Sequence, residues 1–213
     1  MTTTEMGLFE VMFNCRAMRR LSSEVVPEEK LRRLVEAAGQ AASGSNQQRS
    51  RWIVVRDAEQ KRKIADLNRE ASEAFVQARI DRSESLPHHD AATRRRMLNA
   101  VMWLCHHMHE ISTLIVPCYE FDAPPSLEDR LNAQSSIWPG VQNLLLAARA
   151  QQLGAVLTTY ALSDYDKFAD ALDLPPQVYA FAVVPVGYPL GKFGSVTRKP
   201  VEEVMHFDRW PAS

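Results

Sequence analysis

Two basic clusters lie near opposite ends of this sequence. The stretch CRAMRR places Arg16, Arg19 and Arg20 just before the first amphipathic pattern, and Arg198-Lys199 form a second basic spot near the other end. The planar fork of donors in arginine matches the oxygens of a phosphate group. A solvated basic turn has the same composition, however, and the sequence alone does not show that the two spots meet. Phosphate binding is therefore one of two open interpretations.

A second candidate is the polar stretch AASGSNQQRSRW, which runs from Ala41 to Trp52. It contains Asn46, Gln47 and Gln48 and then passes directly into the apolar run WIVV. A carboxamide offers both donors and an acceptor, so such a loop suits the polar edge of a ligand. Small polar residues around a glycine are equally typical of an ordinary turn. Both interpretations stay open on these residues alone.

The segment HHMHE, from His106 to Glu110, raises the question of a metal. His106 and Glu110 lie about one helical turn apart, as do His106 and His109, which permits a site on one helix face. The HExxH pattern is absent, and the helix dipole favours histidines in a last turn. We favour histidines at a helix end and expect no metal.

The inventory of reactive groups is otherwise poor. The nucleotide-binding patterns GxGxxG and GxxxxGK[ST] are absent, and so is the serine hydrolase pattern GxSxG. The three cysteines, Cys15, Cys105 and Cys118, are far apart, which suits reduced thiols better than disulfides. This poverty indicates either a binding module or an enzyme whose cofactor carries the chemistry.

Composition narrows the class of protein. The 213 residues fit one domain, 1–213, and their 46% apolar and 24% charged content is ordinary for soluble proteins. A net charge of −1 and the lack of a helix-turn-helix pattern argue against nucleic-acid binding, despite TRRRM at Thr93–Met97. The sequence shows neither a membrane-length apolar run nor a signal-peptide pattern, so we expect a cytoplasmic protein without membrane association.

The elements that position the first candidates come early in the chain. Apolar spacing predicts an amphipathic helix over Pro27–Ala38, and the polar loop joins it to a short buried strand at Trp52–Val55. Helices are predicted from Glu59 to about Arg82 and from about Thr93 to Ile111, with the polar break SESLPHHDAA between them. A strand follows at Leu114–Tyr119. The stretch EFDAPPSLEDR is predicted to be a loop on its composition.

The second half of the chain contains the longest apolar helix, predicted over Ser135–Gln152 and ended by Gly154 as a left-handed cap. A strand is predicted at Ala155–Thr159 and a helix at Asp164–Leu172. A continuous strand is predicted at Tyr179–Gly187, where Pro185 implies an edge position or a bulge. The order of elements predicts an α+β or mixed α/β domain in which helices outnumber strands.

Four stretches taken in order resemble the nitroreductase family of FMN-dependent oxidoreductases. They are CRAMRRLSSEVVPEEKLRRLVEAA, AASGSNQQRSRWIVVRD, SSIWPGVQNLLLAARAQQLGAVLTT and VPVGYPLGKFGSVTRKPVEEVMHFDRW. The resemblance covers most of the chain and leaves about 67–112 as a variable segment, which in the family covers the substrate. It implies a three-layer fold with a mostly antiparallel central sheet flanked by helices. It also implies an interlocked homodimer with one FMN in each of two pockets built from both chains.

The resemblance assigns the terminal basic residues to the phosphate of FMN. Arg16, Ala17 and Arg19 match the phosphate-binding end of the family motif RRSxRxF. Cys15 replaces one arginine of that motif and Ala17 replaces its serine, so the remaining arginines must carry more. Arg198 matches the family's basic residue near the C-terminus, which contacts the same phosphate.

The polar loop resembles the family motif PSGGNxQPW. Ser43 and Asn46 fall on positions that contact the flavin, and Asn46 and Gln48 suit its polar edge and ribityl chain. Ala42 stands where proline is usual, and Arg49-Ser50 replace Pro-Trp.

The resemblance also implies the chemistry. Thr158 and Thr159 match the segment that passes the N5 and O4 edge of the ring. NADH or NADPH would deliver hydride to flavin N5 and be replaced by a small oxidant such as a nitroaromatic or a quinone. No catalytic side chain is expected, because the flavin carries the reaction.

Several alternatives stay open at this point. Other branches of the family dehalogenate aromatics or fragment flavin, and the replacements at Ala17 and Arg49-Ser50 leave room for a storage protein that binds FMN without turnover. The long apolar helix would form the dimer core, or it is an ordinary core helix. Trp103 and its neighbours Met97, Met102 and Met108 line an aromatic pocket or belong to the core.

Overall fold

The computed structural model describes residues 6–82 and 90–210, so most of the predicted break SESLPHHDAA lies outside the described residues. The helices are α1 (Leu8–Asn14), α2 (Glu28–Gly39), α3 (Ala58–Arg82), α4 (Ala91–His107), α5 (Leu127–Ala150) and α6 (Tyr165–Ala171). The strands are β1 (Ser50–Val55), β2 (Thr113–Glu120), β3 (Gly154–Ala155), β4 (Val178–Ala180) and β5 (Val184–Gly187). Short 3₁₀ helices lie at Gly44–Asn46, Met108–Glu110, Tyr160–Ser163 and Val201–Glu203.

The strands form one antiparallel sheet in the order β1-β2-β5-β3, and β4 pairs with β2 beside β5. Along β2, Leu114 and Val116 pack with α3, α4 and α6, whereas Ile115 packs with α2 and α5. Because successive strand residues point to opposite faces, helices cover both sides of the sheet. The predicted mixed fold with a central antiparallel sheet flanked by helices is confirmed.

The first strand was predicted to be buried, but it lies at the edge of the sheet and is partly exposed. β1 pairs with β2 on one side and forms the edge of the sheet. Val55 is buried, but Val54 is 37% exposed. An edge strand lacks a second neighbour, so its apolar side chains stay partly open to solvent.

The predicted strand over Tyr179–Gly187 is divided into β4 and β5, and Pro185 lies in an interior strand rather than at an edge. Pro185 faces Leu114 of β2. On its other side, pairing lapses between the Ala155–Val186 pair and the isolated Thr158–Val183 bridge. A proline has no N–H to donate to the ladder, which explains the lapse. For the same reason, the strand predicted at Ala155–Thr159 shrinks to Gly154–Ala155 and one bridge.

The long helix α5 begins eight residues before its predicted start, inside the stretch predicted to be a loop. Ser126 caps it: the Asp129 amide donates to Ser126 Oγ at 3.2 Å, and the Ser126 amide donates to Asp129 Oδ2 at 2.9 Å. This reciprocal capping box satisfies two donors at the helix start. The S-x-x-D pattern is present in the sequence, but the two prolines just before it, Pro124 and Pro125, favour a loop.

The prediction that Gly154 caps α5 in a left-handed conformation is wrong. The left-handed residue after α5 is Gln152, with φ of 61°, and no described glycine has a positive φ. Gly154 instead lies in β3 beneath Leu21 and Met18, where a Cβ would come within 2.6 Å of Leu21 Cδ2. Close packing, not backbone conformation, requires glycine here.

The other predicted helices agree closely with the structure, whereas α1 was not predicted. α2, α3 and α6 match within about two residues, and Asp164 caps α6 by accepting from the Lys167 amide. The helix predicted to reach Ile111 ends at His107 and continues as the 3₁₀ turn Met108–Glu110. Among the described residues, every helix is too short or too polar to span a bilayer.

Candidate functional site

The N-terminal segment after α1 lies between β3 and the chain that follows β5. The Met18 amide donates to the Ala155 carbonyl at 3.0 Å, and the Ser22 amide donates to the Tyr188 carbonyl at 2.8 Å. Further along, the Val196 amide donates to the Phe13 carbonyl at 3.0 Å. These backbone bonds hold the two ends of the chain side by side, and they explain how basic residues so distant in sequence meet.

The meeting point is a cavity of about 330 Å³, called here the arginine cavity. Arg16, Ala17, Arg19 and Arg198 line it, together with side chains of α5 and the residues just after β3. Arg20 and Lys199 lie outside this described lining. Lys199 instead pairs with Glu203 at 3.5 Å.

The arginine cavity is built for an anion. None of its described lining residues is an aspartate or a glutamate. Burial, and next the positive charge of Arg16, lower the pKa of Arg19. Arg19 is partly buried, while Arg16 and Arg198 are exposed. Like charges gathered around one cavity, with no carboxylate among its described lining residues, repel each other, so binding an anion there relieves an unfavourable interaction. The donor set fits a phosphate group, with the single hydroxyl at position 17 replaced by a methyl group.

Cys15 lies at the wall of this cavity, half buried, and its thiol donates to the Leu145 carbonyl at 3.6 Å. Burial raises the pKa of the Cys15 thiol, while the charges of Arg149 and Arg198 oppose the rise. Arg149 was missed by sequence reasoning, because an arginine in the last turn of a helix is ordinarily a partner of the helix dipole.

The polar loop has an unusual backbone. Ser45, Asn46 and Gln48 have left-handed φ values of 51°, 53° and 51°, a conformation that side chains other than glycine and asparagine rarely adopt. Two hydroxyls hold it: the Gln48 amide donates to Ser43 Oγ at 3.1 Å, and the Gly44 amide donates to Ser136 Oγ at 3.1 Å. Such strain persists where surrounding bonds enforce it and is common at ligand sites.

The loop lines a second cavity of about 500 Å³ through Ser45, Gln47 and Arg49. Arg49 and Asp122 both line this cavity and form an ion pair at 2.9 Å. Arg49, which stands where the family motif has proline, therefore has a structural partner. Ser50 opens β1 opposite Tyr119.

The structure does not bring all of the predicted loop residues into a cavity. The described linings of both cavities omit Ala42, Ser43, Asn46 and Gln48. The two cavities share no described lining residue. One chain thus brings together the phosphate half of the predicted site but not the amide half.

The two threonines after β3 face different ways. Thr158 is buried, and its hydroxyl donates to Asn68 Oδ1 at 3.1 Å while its amide donates to the Val183 carbonyl. Thr159 is exposed and lines a separate cavity of about 370 Å³ beside Trp138. Leu157, just before them, lines the arginine cavity.

Asn68 is a second residue that sequence reasoning missed. It is buried in α3, and its carbonyl accepts a 2.6 Å bond from Ser72 Oγ, which also lies 3.0 Å from Cys105 Sγ. A polar network therefore connects the variable segment to Thr158. A single asparagine within a charged amphipathic helix gives no sign of burial in the sequence alone.

The histidines of HHMHE pair with single acids. His106 lies 3.2 Å from Glu73, and His107 lies 3.0 Å from Glu110 and stacks on Trp103. Within residues 6–82 and 90–210, no group of three metal-binding side chains occurs. Trp103 packs against the core and Met108 is fully buried within it.

Comparison with known proteins finds related sequences and structures with the same fold. The chain is 26% identical to an iodotyrosine deiodinase from Thermotoga neapolitana over 182 residues, which are 85% of this chain and 88% of that protein. A crystal structure of oxidized iodotyrosine deiodinase bound to FMN and 3-iodo-L-tyrosine superposes with a TM-score of 0.73 at 23% identity, over 96% of this chain and 100% of that one. The NfrA1 nitroreductase of Bacillus subtilis superposes with a TM-score of 0.74 at 18% identity, over 97% and 76% of the two chains.

The family itself follows from the extent of the match. Residues 14–188 match the sequence model of the Nitroreductase family, from just before the arginines of the N-terminal segment to just beyond β5. These residues include the polar loop, α5 and both threonines. The chain belongs to the nitroreductase family.

Proposed function

We propose that this protein is an FMN-dependent oxidoreductase that passes electrons from NADH or NADPH to a small oxidant such as a nitroaromatic or a quinone. The observation that carries the proposal is the arginine cavity, where Arg16, Arg19 and Arg198 meet from opposite ends of the chain without a carboxylate among the described lining residues. Membership of the nitroreductase family supports the same cofactor.

The chain's own residues bind and orient the cofactor. Arg16, Arg19 and Arg198 would hold the phosphate by charge-assisted hydrogen bonds. The backbone of Thr158 is fixed by its bridge to Val183, so the segment Leu157–Thr159 offers a rigid edge for the ring. When bound, FMN supplies the hydride acceptor and donor, and no side chain need act as acid or base.

The separation of the two cavities supports a homodimer. We infer that the amide loop of a second copy completes the pocket, with Ser43, Asn46 and Gln48 at the ribityl chain and polar edge of the flavin. Apolar side chains suited to such an interface are exposed in α1 and in the C-terminal tail, among them Phe9, Phe13 and Phe207. Exposed apolar surface of this kind is typical of association sites.

A second candidate is reductive dehalogenation of an aromatic substrate. The iodotyrosine deiodinase of Thermotoga neapolitana matches 85% of this chain at 26% identity. In such a reaction two electrons and a proton replace the carbon–halogen bond by carbon–hydrogen and release halide. The electrons would come from the same nicotinamide through the same flavin, so the two candidates differ only in the oxidant.

The experiment is anaerobic reduction of the purified protein with its visible spectrum recorded. We expect bound FMN, bleaching on addition of NADH or NADPH, and recovery of the oxidised spectrum on addition of a nitroaromatic or a quinone. Recovery with 3-iodotyrosine and release of iodide would favour dehalogenation instead. A protein that takes up no FMN contradicts the proposal, and one that binds FMN but is never bleached is a storage protein.

The phosphate assignment has its own variants. Arg16→Met and Arg198→Met are each expected to weaken FMN binding by roughly tenfold, because each removes a charge-assisted contact. Arg62→Met removes an equivalent charge from the exposed surface of α3 and is the matched control. If both cavity variants bind FMN as the control does, these arginines do not hold the phosphate.

A further inference from the structure

Arg149 is a buried cation with incomplete pairing. Its side chain lies in the last turn of α5, with 9% of the residue exposed. Its Nη1 donates to Gln152 Oε1 at 3.4 Å, and its guanidinium lies 4.1 Å from the ring of Phe193. Its Nε is buried and has no hydrogen-bond partner among the described residues. A buried charge left with one long hydrogen bond and an aromatic face is unfavourable unless an anion approaches.

Arg149 is not among the described lining residues of the arginine cavity, but its neighbours reach the cavity wall. The thiol of Cys15, in the cavity wall, donates a hydrogen bond to the carbonyl of Leu145, one helical turn before Arg149. Arg149 and Arg198 both act electrostatically on this thiol. Phe193, which covers the Arg149 guanidinium, precedes Gly194, whose Cβ position would lie 3.9 Å from Arg16 Nη1. One short segment thus lies against both arginines.

We propose that Arg149 is a fourth cation of the arginine cavity and supplies from α5 the positive charge that position 15 lacks in this chain. It strengthens the binding of a phosphate-bearing ligand mainly through its charge. This inference rests on the proposed function, because the phosphate in question is that of FMN. Positive charges gathered around one small cavity repel one another, whereas a dianionic phosphate makes their proximity favourable.

The first test uses the protein without cofactor. Cys15 is half buried, whereas Cys105 and Cys118 are fully buried, so iodoacetamide should alkylate Cys15 selectively in the folded state. Arg149→Met removes a nearby positive charge, so the pH profile of alkylation should move to higher pH. Arg149→Lys keeps the charge and should leave the profile near its original position. An unchanged profile in Arg149→Met would overturn the electrostatic part of the proposal.

The second test compares FMN with riboflavin, which lacks the phosphate, by titration of flavin fluorescence. Arg149→Met should weaken FMN binding by roughly tenfold and riboflavin binding by no more than about twofold. Arg149→Lys should recover much of the loss, and Arg62→Met is the control. Adding Cys15→Arg to Arg149→Met should restore FMN affinity, because it returns the charge from the other side of the cavity.

The outcomes separate this inference from the proposed function. Equal losses for FMN and riboflavin, or no loss for either, would show that Arg149 has only a structural role. A wild-type protein that does not bind FMN contradicts the proposed function. In that case the pH profile of Cys15 alkylation still decides whether the charge of Arg149 acts on the cavity. If Arg149→Met does not fold, Arg149→Gln, which retains a polar side chain without the charge, takes its place in both tests.

Discussion

At the residue scale, Gly154 determines how closely the N-terminal segment approaches β3. A Cβ at this position would lie 2.6 Å from Leu21 Cδ2 and 2.9 Å from Met18 Cβ. The Met18 amide donates to the carbonyl of the next residue, Ala155. The same close approach that excludes a side chain at position 154 therefore sets the position of Arg16 and Arg19 at their cavity.

Gly154→Ala should thus weaken both the fold and the site. Overpacking of this kind costs about 1–3 kcal/mol of unfolding free energy, which urea denaturation would measure. FMN binding should weaken as well, because the segment with the arginines must move. Gly191→Ala is the control, since nothing lies within 4 Å of its Cβ position. A Gly154→Ala protein with normal FMN affinity would show that the segment's position does not govern the site.

The residues of the candidate site differ in how far the sequence could predict them. Arg16, Arg19 and Arg198 were predicted because their clusters and their order along the chain match a known motif. Arg149 and Asn68 were not, because burial of a polar side chain depends on which helix faces pack together. The same applies to the inward orientation of Thr158, which its bond to Asn68 fixes.

At the element scale, α2 and α3 were predicted more closely than β3, β4 and β5, for a physical reason. α2 and α3 show the helical period, and Asp57 caps α3 by accepting from the Gln60 amide, all of which is local information. The length of a strand depends on partners that are distant in sequence, so the short β3, β4 and β5 could not be predicted from local sequence. Pro185 also interrupts the hydrogen bonding between β5 and the residues after β3. The start of α5 was missed although its capping box was local, because the prolines before it outweighed that signal.

The capping box of α5 provides a test of an element in isolation. Ser126→Ala should lower the unfolding free energy by about 1 kcal/mol at neutral pH, because the first turn loses its cap. Hydrogen bonds from Ser126 lower the pKa of Asp129 below its usual value of 3.8. The part of the wild-type advantage that comes from the hydrogen bond donated by Ser126 Oγ to Asp129 is therefore complete above the unfolded pKa and is lost as the pH falls through the lower, folded pKa. The bond from the Asp129 amide to Ser126 Oγ does not titrate, so the rest of the advantage persists in acid. Urea denaturation between neutral and strongly acidic pH would measure it. A difference that does not shrink in acid would show that Asp129 is not the partner.

At the scale of the whole molecule, the described chain forms half of the predicted site and leaves apolar surface open. The arginine cavity unites the chain ends, but the amide loop lies at a different cavity. In the C-terminal tail, Phe207 is 78% and Trp210 is 80% exposed. The sequence predicted an interlocked dimer through its resemblance alone, since apolar residues at an interface and in a core have the same pattern.

If the tail binds a second copy, substitutions in it should affect assembly and cofactor retention together. Phe207→Asp combined with Trp210→Asp should weaken dimerisation by about 2 kcal/mol or more, because large aromatic side chains often dominate an interface. Both side chains are largely exposed in the isolated chain, so replacing them removes few contacts. The unfolding free energy of the monomer should therefore be unchanged. Light scattering over a dilution series would measure the mass, and flavin fluorescence would measure FMN release at the same concentrations. Arg62→Asp, on the exposed surface of α3, is the control for added negative charge. A wild-type monomer that retains FMN on dilution would contradict the shared pocket, and a fully dimeric double variant would place the interface outside the tail.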